Sequence, residues 1–214
     1  MAVLSRHGAR YRFGAPLDLR WLAGGWSSHL EFRRGSLRLR TDFVTRPPRL
    51  APQRLARLWE DADDTRNDVV GVEPLAAIKL TNREKDYAVV GELARLMADP
   101  RSQLLYSRSG RDLIELAARH PQALSDVVAQ RPLLRQAAEG REALEAALDR
   151  ERRELMRANE ERLARYQVAG ESWAALWPAV QRQLVDLALA DAHALVVARA
   201  EGVLPHEPAG GSES

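Results

Sequence analysis

The stretch GGWSSHLEFRRGSLRLRTDFV, residues 24–44, alternates apolar and polar side chains with a period of two on both sides of Arg33-Arg34-Gly35-Ser36. That period belongs to half-buried strands, and a Gly-containing break between two such runs is a hairpin signal. RYRF, residues 10–13, adds a third run, so residues 10–46 read as extended structure. In the last run Leu37, Leu39 and Phe43 are expected to face the core, with Arg38, Arg40 and Asp42 on the other face. Asp42 then lies at a solvated or site-lining edge. TRPPRLAP, residues 45–52, ends the strand because proline cannot donate to a ladder.

Beyond this point the period lengthens. A short amphipathic helix is expected at about Pro52 to Asp61, with Leu55, Leu58 and Trp59 as its buried stripe. NDVVGV, residues 67–72, reads as a short strand, and EPLAAIKL, residues 73–80, opens a helix with Pro74 in its first turn. Leu75 and Ile78, then Val89, Val90, Leu93, Leu96 and Met97, mark helical faces on either side of TNREKD, residues 81–86. Thr81 and Asn82 suggest a break or cap, so Lys85 and Asp86 would start the next helix beside a strand edge.

From Pro100 onward no strand is expected. Segments near 110–119, 122–130, 133–167 and 172–201 have helical spacing, separated by His120-Pro121, Arg131-Pro132 and Gly170. The 133–167 segment is polar, with Leu144, Leu148 and Leu155 as a narrow stripe among Glu and Arg pairs, and reads as a protruding arm. Pro178 is read as a kink or an early-turn residue. The fold class is therefore α+β, with a sheet and flanking helices over residues 1–99, a helical domain or arm over 100–202, and a disordered tail over 203–214.

Composition narrows the chemistry. The 214 residues are 45% hydrophobic, enough for a sizeable core, and contain no Cys, which excludes disulfides, thiolate zinc sites and cysteine nucleophiles. The five His are scattered, with no HExxH. No apolar run reaches the ~20 residues of a spanning helix and the first residues lack the apolar run of a secretory signal, so a cytoplasmic location is expected. The formal charge of +2 conceals an Arg-rich first segment, Arg6 to Arg57, followed by the acidic WEDADDTRND, residues 59–68. Such a basic segment could attract RNA or nucleotide phosphates. The alternative reading is that Arg merely stands where Lys would, on an ordinary solvated surface. Only two lysines occur, Lys79 and Lys85, the second beside Asp86.

The run from GGWSSHLEF through LRTDFVTRPPRL to EPLAAIKLTNREKDYAVVGEL, about residues 18–97, resembles the later half of small bacterial nucleotidyltransferase-like proteins, including minimal nucleotidyltransferases and abortive-infection type toxins. Leu75, Ile78, Lys79, Arg83, Lys85, Asp86 and Leu93 fall at matching positions. The resemblance implies a partial nucleotidyltransferase-like mixed sheet. It further implies Asp42 as a Mg²⁺-holding catalytic carboxylate, Lys85 and Asp86 as catalytic neighbours, and Lys79, Arg83 and Arg46 near a nucleoside triphosphate. The activity implied is transfer of a nucleotidyl group from Mg-NTP to a protein or RNA acceptor. The chain departs from the pattern where it matters most. No DxD precedes Asp42, and Arg40-Thr41-Asp42 after GGWSS would be an altered DxD with Arg in the first acidic place. One carboxylate is too few for metal-assisted transfer, so a catalytically reduced or N-terminally incomplete form, a pseudoenzyme, is expected. The alternative is a non-catalytic antitoxin-like or regulatory protein that binds a protein partner through helix 133–167. A membrane partner is not expected.

Other residues are read structurally. Asp42 could be a surface strand carboxylate, and Lys85 with Asp86 a helix-entry ion pair of little worth. Ser27 and Ser28 lack the GxSxG setting and no His–Asp pair can be placed with them, so they read as turn or strand residues. The five tryptophans read as core.

Overall fold

The computed structural model describes residues 1–47, 50–65, 69–80 and 84–209, with backbone alone at 61–65 and 84. The chain is α+β and forms two compact units, residues 1–47 with 162–214, and residues 48–161. Residues 99 and 100 fall inside the second unit, where Asp99 caps the helix that starts at Pro100.

The first unit is built on a three-stranded antiparallel sheet of order β1-β2-β3: β1 Arg10–Gly14, β2 Ser28–Arg34 and β3 Leu37–Phe43. Both ladders are antiparallel, which corrects the expected mixed sheet. The cause is local. Arg34 pairs with Leu37 across Gly35-Ser36, and Gly35 supplies the positive φ of 59° that a two-residue hairpin loop needs. Between β1 and β2 the only helix is the one-turn α2, Leu19–Leu22, and parallel pairing would need a longer crossover.

One sheet face is buried, and helices cover it. Tyr11, Trp21 and Leu30 join Trp173, Val180, Leu189, Val196, Ala200 and Leu204 in one cluster. Trp173 and Val180 come from the end of a long helix, α9, Arg141–Gln183, and Leu189 to Ala200 form α10. A short α1, Ala2–Arg6, precedes the sheet. Four indoles in this unit reach backbone carbonyls: Trp21 Nε1 donates to Leu204 O at 3.0 Å, Trp26 to Pro205 O at 2.9 Å, Trp173 to Gly14 O at 2.9 Å and Trp177 to Arg12 O at 3.2 Å. A buried indole is favourable only when its N–H has a partner, and here every one does. Residues 203–214, expected as a free tail, therefore begin with a packed stretch in which Leu204 and Pro208 are buried.

Several expectations about this unit change. Leu37 is 63% exposed and Leu39 is exposed too, because the hairpin runs past the helices that cover its base; only Phe43 of the three packs on the core. The helix expected to start at 172 is continuous with α9 through Gly170, and the break comes later, at Asp186 with φ 66°. Gly170 is kept for packing: a Cβ there would lie 3.2 Å from the Trp26 ring. Pro178 is inside α9 and costs it one backbone hydrogen bond.

The second unit is helical among its described residues: α3 Pro52–Thr65, α4 Val72–Lys79, α5 Glu84–Arg95, α6 Pro100–Tyr106, α7 Gly110–Arg119, α8 Pro121–Val127, a 3₁₀ helix Pro132–Ala138 and the first turns of α9. The strand expected at 67–72 is absent at 69–72, where Gly71 is the N-cap of α4, and residues 66–68 lie outside the described residues. Trp59 is 59% exposed, unlike the other four tryptophans. Leu144 and Leu148 are buried with Leu104, Leu113, Leu116, Val127 and Leu134, so the start of α9 is core rather than free arm. Among the described residues no helix is long and apolar enough to cross a membrane.

Tyr11 ties the sheet to α10. Its hydroxyl accepts from Leu17 N at 2.9 Å and so gives its own proton to His193 Nδ1 at 2.8 Å. Burial pushes the Tyr11 phenol up to about 12 and holds the His193 imidazolium below the ordinary histidine range. A histidine held neutral by the fold stabilises it above the unfolded-state value of about 6.5, and that contribution is lost as pH falls toward the folded value. Urea unfolding across this window should show stability falling with acidification in the native protein, and a flatter profile in His193→Gln.

Candidate functional site

The outer face of the sheet gathers the polar chemistry of the first unit. Counting out from the Gly35-Ser36 turn, Arg33 faces Arg38, Glu31 faces Arg40 and His29 faces Asp42. On the other side of β2, Arg10 faces Glu31 and Phe13 faces His29, with an irregularity between Tyr11 and Phe13 that lets Arg12 also reach this face.

His29 is the centre of the face. Its ring stacks on Phe13 with centroids 4.2 Å apart, and its side chain is 16% exposed. Nδ1 lies 2.6 Å from Asp42 Oδ1, and Nε2 lies 2.8 Å from Ser27 Oγ. A carboxylate can only accept, so in the neutral ring Nδ1–H donates to Asp42 and Nε2 accepts from the Ser27 hydroxyl. Gly14 makes the room: its φ is 98°, and a Cβ there would lie 2.5 Å from Ser27 O and 2.7 Å from His29 Cδ2.

The charges around this line are mostly positive. Glu31 Oε2 receives Arg38 Nη2 at 2.6 Å and has Arg12 Nε at 3.7 Å, so Arg40, directly opposite, is left without it. Arg10, Arg33 and Arg40 are exposed and have no ion pair among the described residues. Arg12 Nη1 lies 3.8 Å from Asp42 Oδ1.

The residues expected at a nucleotide site divide between the units. Asp42 and Arg46 belong to the first; Arg46 is exposed and pairs with Glu207 at 3.2 Å. Lys79, the last residue of α4, is half-buried in the second unit, with Lys85 exposed and Asp86 4% exposed in the first turn of α5. An acidic side chain suits that helix end and Lys85 does not. No strand edge lies beside this pair among the described residues of the unit, contrary to expectation. Arg83 lies outside the described residues.

The residues around Asp42 do not fit the Mg²⁺ that the resemblance implies. Its Oδ1 already serves His29 and faces a guanidinium, and among the described residues no three His, Asp or Glu side chains gather as they would around an ion. A His–Asp pair does stand beside Ser27, contrary to expectation: Ser27 and His29 are spaced for one strand face, and the hairpin register sets Asp42 opposite His29.

The second unit buries a charged group of its own beside Tyr87. Arg131 makes a two-pronged contact to Glu151 at 2.9 Å on each side and donates to Leu104 O at 2.7 Å, while Arg108 Nη1 reaches the same carboxylate at 3.1 Å. Burial, with Arg131 beside it, pulls the Arg108 guanidinium down to about 10, and its plane lies over the Tyr87 ring at 5.2 Å. Two buried cations on one carboxylate make Glu151 the member whose loss costs most. Glu151→Gln is expected to lower stability by roughly 3 kcal/mol, as for a broken buried pair, measured by the shift in denaturant midpoint; a shift near zero would mean that solvent already screens the group.

Searches of the chain against protein-family models, curated proteins and solved structures found no match.

Proposed function

We propose that the chain is a nucleotidyltransferase-like protein of catalytically reduced type whose working property is binding single-stranded RNA on the outer face of its sheet. The resemblance over about residues 18–97 supplies the class. The binding rests on one observation: Arg33 stands directly opposite Arg38, and Arg10, Arg33 and Arg40 carry no ion pair among the described residues. Like charges facing each other across a ladder destabilise it. A phosphodiester strand laid on the face offsets that repulsion, and each guanidinium that meets a phosphate releases counterions. Phe13, 45% exposed beside these arginines, offers a ring on which a base can stack.

Magnesium has no part in this reading. Fluorescence anisotropy with a labelled single-stranded RNA should show affinity falling steeply between about 50 and about 200 mM salt. Arg33→Ala with Arg40→Ala should weaken binding roughly tenfold and reduce the log–log salt slope by about 0.7 per arginine. Affinity indifferent to both salt and these substitutions would sink the proposal. Nucleoside triphosphate binding that needs Mg²⁺ and disappears in Asp42→Ala would favour the transfer reading instead.

A further inference from the structure

We propose that Ser27 is an activated nucleophile that takes an acyl group from a carboxylic ester, with His29 as its base and Asp42 orienting His29. The inference rests on the hydrogen-bond line alone and is independent of RNA binding. Ser27 Oγ is 2.8 Å from His29 Nε2, and His29 Nδ1 is 2.6 Å from Asp42 Oδ1. Nucleophile, base and orienting carboxylate stand in hydrogen-bond reach in the order this chemistry requires, which is recognised by geometry and role rather than by place in the sequence.

The direction of the bonds is as informative as their lengths. With Nδ1–H committed to Asp42, the Nε2 lone pair points at the Ser27 hydroxyl, the tautomer that can remove its proton. The ring is also held. Phe13 covers one side of it and Gly14 lets the backbone approach where any Cβ would collide. Asp42 is 62% exposed and Ser27 half-buried, so the line opens to solvent and to a substrate.

The step balances as an ordinary transesterification. Ser27 Oγ attacks the ester carbonyl carbon as its proton passes to His29 Nε2; the carbon–oxygen bond to the alcohol breaks, and the imidazolium returns the proton to the departing alkoxide. The acyl group is left on Ser27. Water then gives a proton to His29 and attacks the same carbon; the bond from that carbon to Oγ breaks, the imidazolium returns the proton to Ser27 Oγ, and the carboxylic acid leaves. The surrounding arginines favour esters that carry a negative charge.

A fluorophosphonate tests the nucleophile directly, since Oγ attack at phosphorus expels fluoride and leaves a stable adduct. Incubation of the whole chain with such a probe, followed by peptide mass spectrometry, should place one adduct on Ser27 and none in Ser27→Ala. Labelling of His29→Gln should be at least about 100-fold slower, the usual contribution of a positioned base. Asp42→Asn, a change at an exposed carboxylate, should also slow labelling while the circular dichroism spectrum stays that of the folded protein. Absence of an adduct on Ser27 in the folded protein, or equal rates in native protein and Asp42→Asn, would overturn the proposal and leave the line as a structural tie.

Discussion

Two indole hydrogen bonds hold the geometry on which the first unit's outer face depends. β1 is an edge strand, and an edge strand has backbone acceptors that no ladder satisfies. The carbonyls of Arg12 and Gly14 take the N–H groups of Trp177 and Trp173 from one helical turn of α9. Each contact settles two obligations at once, since a buried indole N–H and a buried carbonyl are both costly when unpaired. The bonds fall on either side of Phe13, next to the register irregularity, so they also determine where that ring lies against His29.

The two units handle surplus arginine in opposite ways. On the sheet, Glu31 and Asp42 face Arg10, Arg12, Arg33, Arg38 and Arg40 at a partly exposed surface, where each pair is worth little and repulsion is screened. In the helical unit Arg108 and Arg131 are withdrawn from water onto Glu151, where geometry must be good because desolvation is expensive. Only the first arrangement leaves guanidinium groups able to meet a ligand. The second spends them on holding α5, α6 and α9 around Tyr87.

Local patterns in the chain account for most of what could be read in advance. The period-two runs and the Gly35-Ser36 turn specify β2, β3 and their register, and Pro52, Pro74, Pro100 and Pro121 all fall in first helical turns as proline's missing N–H allows. What escaped was non-local. Leu37 and Leu39 have the spacing of core residues, but whether a helix extends far enough to cover them is not written in the strand. Gly170 has the composition of a helix end, yet it is a packing residue under Trp26. The Ser27–His29–Asp42 line follows from the hairpin register, which sets Asp42 opposite His29, whereas motif spacing alone offers no GxSxG setting around Ser27.

Asp42 cannot serve every neighbour equally, and magnitudes decide which one orients it. Arg12 at 3.8 Å is a charge across partly open solvent, worth about 1 kcal/mol when the medium is close to water. The bond from His29 at 2.6 Å is direct and charge-assisted, in a class worth about 1.5–3 kcal/mol. The imidazole therefore sets the carboxylate, while Arg12, anchored through its own carbonyl to Trp177, adds a positive field without taking the oxygen away. Because Phe13 and Gly14 fix the ring from the β1 side, the orientation of Asp42 is inherited from the same edge strand that the indoles hold, and the polar line and the cationic face share one mechanical support.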